Sequence, residues 1–196
     1  MSMKYGRKID EILVILIILE YGVCEMTVSK LTVSEALRFA NHDYLNQLHL
    51  IQMNLDLGRV DEAKKVIFDQ SEHCKILSNI NRLQLTKTVE WLHTLCWRYP
   101  ALQLNMTSDV STPIHSKYDE AIVQYLENTI IHVYDKLDPY EEHQLLLNIE
   151  TYEDKWNISF HLKGKWEQSP FSIEQNIFNV ETYEQTNTSW KYVLHV

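Results

Sequence analysis

Two helical patterns meet at a single glycine, and this junction constrains the fold more than any other feature of the chain. Residues Ser29 to Leu57 carry apolar side chains at helical spacing, and Arg59 to Ser78 do so again, with only Gly58 between them. Ser29 or Thr32 is placed to cap the first helix, and Gly58 to end it in the left-handed conformation. So short a connection makes the helices antiparallel neighbours. On the second helix Val60, Ala63, Val66, Ile67, Cys74 and Leu77 fall near heptad spacing. A two-helix hairpin cannot bury both apolar stripes by itself. The predicted remedy is a second copy, giving a homodimeric four-helix bundle across a twofold axis; the alternative is burial against the rest of the chain.

Downstream the pattern changes. Leu83 to Trp97 reads as a third helix stopped by Pro100, ALQLNMT from Ala101 alternates as a strand does, and Tyr118 to Leu137 reads as a helix. HQLLLNIET and WNISFHLKG read as strands of a hairpin turned at YEDK, and SWKYVLHV as a final strand. The expected class is α+β, with an N-terminal extension (1–28), a helical hairpin for dimerisation (29–80) and a C-terminal α+β domain (81–196). The chain has 196 residues, 45% of them hydrophobic, which is enough for a real core.

A formal net charge of −9 argues against nucleic acid as a ligand, since phosphate backbones are held by clustered Lys and Arg. Cys24, Cys74 and Cys96 are widely spaced, with no C-x-x-C, which fits reduced thiols in a cytoplasmic protein. The apolar run ILVILIIL (Ile12 to Leu19) ends at Glu20 and falls short of the roughly 20 residues a membrane span needs. It is expected to be a short ordered or docking helix, without stable membrane insertion.

The chemistry concentrates in RFANHDYLNQLHLIQ, Arg38 to Gln52. At about 100° per residue, Leu37, Ala40, Tyr44, Leu48, Ile51 and Leu55 fall within about 40° of one direction, a core seam. His42 lies about 160° away. Packing in that seam therefore does not account for it, although an exposed histidine without a role is common. Glu35, Asn46, His49 and Met53 share the outer face, with Phe39 and Leu45 at its edges. Such apolar area around an outward polar centre suits a protein docking site, or else packing against the C-terminal domain. A metal site has little support: His42 and His49 are about 10.5 Å apart along the axis, and Asn46 stands where a second ligand would be. No bound cofactor is expected. What remains is chemistry at His42 itself. Imidazole is a nucleophile near neutral pH and can accept a phosphoryl group at nitrogen. Asp43 could take a hydrogen bond from one ring nitrogen and leave the other free; Asn46 could orient the ring or the phosphoryl oxygens.

The stretch F-x-x-HDYLNQLHLIQMNL (Phe39 to Leu55), followed by LSN at Leu77 to Asn79 and LHTLCWRY at Leu92 to Tyr99, resembles the phosphoacceptor region of histidine kinases of the H-D-x-x-N type. More closely, it is similar to the sporulation initiation phosphotransferase family of the bacilli. The resemblance implies a hairpin dimer and a C-terminal domain related to a degenerate histidine-kinase ATPase domain. It implies catalytic roles for His42, Asp43 and Asn46, with phosphate arriving from the aspartate of a single-domain response regulator and leaving for the aspartate of a response-regulator transcription factor. Mg2+ would sit on those receiver domains. Phe39, Leu45, His49 and Met53 are expected to form the docking rim. After Pro100 the chain has one glycine, Gly164, and neither D-x-G-x-G nor G-x-G. Asn128 lies on the predicted helix, but the phosphate loops of an ATP site are not there. This favours a transferase over an ATP-dependent kinase. A non-catalytic protein that sequesters a regulator or a kinase is the other reading.

Overall fold

The computed structural model describes residues 31–167, 171, 173 and 176–196. Its elements lie within one compact unit, Val33–Val196. Helices α1 (Val33–Asp56) and α2 (Val60–Ile80) form the hairpin, and a short 3-10 turn (Asn81–Leu83) leads to α3 (Thr86–Arg98). Then come β1 (Leu102–Val110), a 3-10 turn (Ser116–Tyr118), α4 (Asp119–Tyr134), β2 (His143–Tyr152), β3 (Lys155–Lys163), β4 (Asn179–Gln185) and β5 (Ser189–His195). Ser29 and the segment Ile12 to Leu19 lie outside the described residues. Among the described residues no helix is long and apolar enough to cross a membrane.

The hairpin closes as its glycine requires. Gly58 has φ of 70°, a conformation that a side chain would strain. The Gly58 N–H donates to Leu55 O at 3.0 Å and the Arg59 N–H to Asn54 O at 2.8 Å, which is the Schellman closure. Asp61 and Glu62 then sit in the first turn of α2, where the exposed N–H groups favour negative charge.

The strands form one mixed sheet in the order β1-β2-β3-β5-β4. β1 and β2 are parallel, and α4 makes the crossover between them; the other pairs are antiparallel. Alternate residues of β2, β3 and β5 point to one face: Leu145, Leu147 and Ile149, then Ile158, Phe160 and Leu162, then Trp190, Tyr192 and Leu194. Ile122, Leu126, Ile130 and Val133 of α4 cover that face, and all of these side chains are buried. The sequence pattern leaves β4 unrecognised. It is an edge strand with almost every residue exposed, so it lacks the alternation that reveals a strand.

α3 is fixed to this layer at both ends. Leu85 provides no side-chain cap; instead the carboxylate of Asp119, from α4, accepts the Lys87 N–H at 2.9 Å and the Thr88 N–H at 2.8 Å. At the other end Glu127 accepts from Trp91 Nε1 and pairs with Arg98. α2 is tied in as well: Asn79 Oδ1 accepts the Val110 N–H at 2.8 Å.

The expected seam of α1 departs from what one chain buries. The α1 residues that lose exposure are Ala36, Phe39, Gln47, Ile51 and Asn54. Their mean direction is about 80° from the apolar seam at 100° per residue. Leu37, Tyr44, Leu48 and Leu55 therefore remain exposed. On α2, Val60, Ile67 and Cys74 are exposed too, rotated in the same sense from the more buried Ala63, Val66 and Gln70. In an antiparallel pair, equal senses of rotation bring both stripes to the same side. The hairpin thus presents a continuous apolar face that the C-terminal layer does not cover.

Candidate functional site

His42 and Asp43 sit near the middle of α1, with side chains 71% and 57% exposed. His42 Nδ1 lies 3.3 Å from Asp43 Oδ1 and 3.2 Å from Asn46 Nδ2. One ring nitrogen cannot serve both partners as they stand. Toward the carboxylate it must donate; toward the amide N–H2 it must accept. The carboxylate contact is charge-assisted and so the stronger of the two, and it favours a proton on Nδ1. With the Asn46 amide turned over, its oxygen accepts from the same N–H. In that tautomer the lone pair is on Nε2, which has no hydrogen-bond partner among the described residues, on a side chain that is mostly exposed.

The three expected chemical residues are therefore together, one helical turn supplying all of them. Of the expected rim, Leu45, His49 and Met53 stay exposed on the outer side. Phe39 does not join them. Its ring stacks on Trp97 of α3, with centroids 5.9 Å apart and planes at 23°, and Arg38 lies 5.3 Å over the same ring. For Phe39 the packing alternative is the one the structure follows.

Trp97 is the residue that sequence reasoning left without a role. Its Nε1–H donates to Asp43 Oδ2 at 2.9 Å, across 54 positions of chain. The only signal was its place in the aromatic-rich LHTLCWRY; nothing in the spacing linked it to His42. Between α1, α2, α3 and β1 lies a cleft of about 700 Å³, whose walls include Asp43, His73, His93, Cys96, Trp97 and Leu104. Burial first, then the nearby Asp43 carboxylate, pushes the Cys96 thiol above its ordinary range. Burial, helped by His73, lowers the His93 imidazole. Among the described residues no three His, Cys, Asp or Glu side chains are grouped to hold a metal ion.

Residues 25–83 match the family described as sensor kinase SpoOB-type, alpha-helical domain. No curated protein matches the chain. Among solved structures it is similar to the catalytic domain of histidine kinase ThkA, at 12% identity and a TM-score of 0.38, over 60% of this chain and 91% of that one. It is similar to the Acinetobacter baumannii histidine kinase AdeS at 9% identity and a TM-score of 0.35, over 79% of this chain and 96% of that one. A third is ThkA in complex with the response regulator protein TrrA, at 12% identity and a TM-score of 0.38, over 83% and 60%.

Proposed function

We propose that this chain, whose residues 25–83 match the SpoOB-type sensor-kinase alpha-helical domain family, is a phosphorelay transferase with His42 as phosphoacceptor. It takes the phosphoryl group from the aspartyl phosphate of a single-domain response regulator. It then gives the group to the aspartate of a second regulator, a transcription factor of sporulation. Mg2+ is held by the receiver domains, and the chain works as a cytoplasmic homodimer through the exposed apolar face of its hairpin.

The observation that carries this reading is the division of labour on one ring of an exposed side chain: Nδ1 is engaged by Asp43, while Nε2 has no hydrogen-bond partner among the described residues. In the first step the Nε2 lone pair attacks phosphorus. The N–P bond forms as the P–O bond to the donor aspartate breaks, and that carboxylate leaves with the bonding electrons. Nδ1 keeps its proton, so the product is a phosphorylated imidazolium whose positive charge faces the Asp43 carboxylate. In the second step a carboxylate oxygen of the acceptor regulator attacks phosphorus, and neutral imidazole departs. Asp43 serves both steps by holding the proton, because a protonated ring is the better leaving group. Asn46 orients the ring from one turn away. Leu45, His49 and Met53 supply the rim for the regulator.

The role of Gly164 supports a transferase over an autokinase. It has φ of 152°, and a Cβ there would collide with the His143 ring at Nδ1. His143 is buried, with Nε2 at 2.9 Å from Asp138 O and Nδ1 at 3.4 Å from the Lys165 N–H. The sole glycine after Pro100 is thus accounted for by packing rather than by a phosphate loop.

A two-regulator assay tests the proposal. Labelled phosphate on the first regulator should reach the second only when this chain is present, through an acid-labile, base-stable intermediate. His42→Ala should reduce the relay by at least about 10³-fold, as loss of an essential nucleophile does. Relay at the normal rate in that variant overturns the assignment. A chain that binds the regulator without acquiring label is a sequestering protein, and label on His42 from ATP alone marks a kinase.

A further inference from the structure

Asp43 has two carboxylate oxygens, and they face different parts of the molecule. Oδ1 meets His42 Nδ1 at 3.3 Å, while Oδ2 accepts the Trp97 indole N–H at 2.9 Å. A carboxylate more than half exposed on a helix surface has several rotamers open to it. In water alone it would spend only part of its time on the imidazole. The indole restricts it, and the indole is itself anchored. Its neighbour Arg98 pairs with Glu127 in a largely buried contact. The next residue, Tyr99, is buried and meets the Tyr134 ring edge-on at 5.0 Å. The last turn of α3 is thus bolted to α4, while Trp97 projects to the other side, onto Phe39 and Asp43.

We propose that Trp97 is a positioning residue for the phosphoacceptor: its N–H clamps Asp43 so that the carboxylate holds Nδ1–H of His42 and leaves Nε2 as the nucleophile. The C-terminal layer then contributes directly to phosphoryl transfer, through one hydrogen bond delivered from α3. This rests on the phosphotransfer role of His42 argued above. The tautomer of the resting protein, however, can be read without any transfer.

The test uses the full chain carrying Trp97→Phe, which keeps an aromatic ring against Phe39 and removes the N–H along with part of the ring area. Nitrogen-15 spectra of His42 in the resting protein should show protonated Nδ1 and bare Nε2 in the wild type, and a mixture of tautomers in the variant. The maximal transfer rate should fall about tenfold, the size expected for one lost hydrogen bond to a charged group. The regulator concentration giving half that rate should not change. In an Asp43→Asn background, Trp97→Phe should cost nothing further, because its partner is already altered. Unchanged His42 nitrogen signals overturn the proposal. So does an equal rate loss in the Asp43→Asn background, or an effect confined to the half-saturating concentration, which would make Trp97 a docking contact. If the wild type accepts no phosphate and yet the His42 signals move in Trp97→Phe, the relay function fails while the clamp stands.

Discussion

α4 has sixteen residues and buries Ala121, Ile122, Tyr125, Leu126, Thr129, Ile130 and Val133; α1 has twenty-four and buries only Asn54. Both helices are amphipathic, so the difference is not one of pattern. α4 lies on a sheet whose alternate side chains reach up to meet it, and its apolar stripe ends in closed packing. The stripe of α1 ends in solvent. A helix this exposed gains little from tertiary burial, which is where most helical stability in proteins comes from. The two parts of the chain are complete in different senses. The sheet layer is finished within one chain, whereas the hairpin is built to be finished by something else.

The largest expected effect tests the finished half. Phe160 is fully buried and stacks on Tyr192 with centroids 4.7 Å apart. Phe160→Ala should destabilise the fold by about 3–5 kcal/mol, through lost transfer energy and the cavity left behind. Leu48→Ala, on the exposed stripe, should alter a dilute single chain by no more than about 0.5 kcal/mol. Chemical denaturation of both variants at low protein concentration checks this. Equal losses would mean that the two regions do not differ as described.

What finishes the hairpin is measurable in solution. If a second copy covers Leu37, Tyr44, Leu48 and Leu55, sedimentation should find two chains per particle. The unfolding midpoint should then rise with protein concentration. Leu48→Asp should release single chains, since it places an unpaired charge in that face. A wild type that sediments as one chain at all concentrations would break this half of the comparison.

How much of this could be read beforehand follows the same division. The hairpin, its glycine stop and the outward direction of His42 were legible because they depend on local spacing: a 3.6-residue repeat and one glycine at positive φ. β2, β3 and β5 were legible for the same reason, since burial on one face leaves a period of two. β4 was not, because an edge strand with both faces wet has no such period. The apolar seam of α1 is legible too, but a helical wheel shows only which face is apolar, not whether its partner belongs to the same chain or to a second one. Among the site residues, His42, Asp43 and Asn46 share one turn and were found together. Trp97 reaches Asp43 only through the tertiary fold, from 54 residues away. The same contact explains Phe39, which the wheel put at the rim and the structure stacks on Trp97.

The smallest predicted effect bears on the junction between the two regions. Cys96 of α3 reaches solvent, yet its thiol is held above the usual range, first by burial and then by the carboxylate of Asp43 on α1. The sign of the second effect is definite: negative charge opposes formation of the thiolate, and the thiolate is the species that alkylates. Asp43→Asn removes the charge while nearly preserving the shape. Cys96 should then lose part of its elevation, hold more thiolate at pH 8 and react a few-fold faster with iodoacetamide. Rates are read on chains carrying Cys24→Ser and Cys74→Ser, so that only Cys96 is labelled. The measurement requires neither phosphate nor a regulator, only that α3 lies beside α1 in solution as it does here. An unchanged rate would mean that the hairpin and α3 are apart for most of the time, and that Asp43 is not held where Trp97 can reach it.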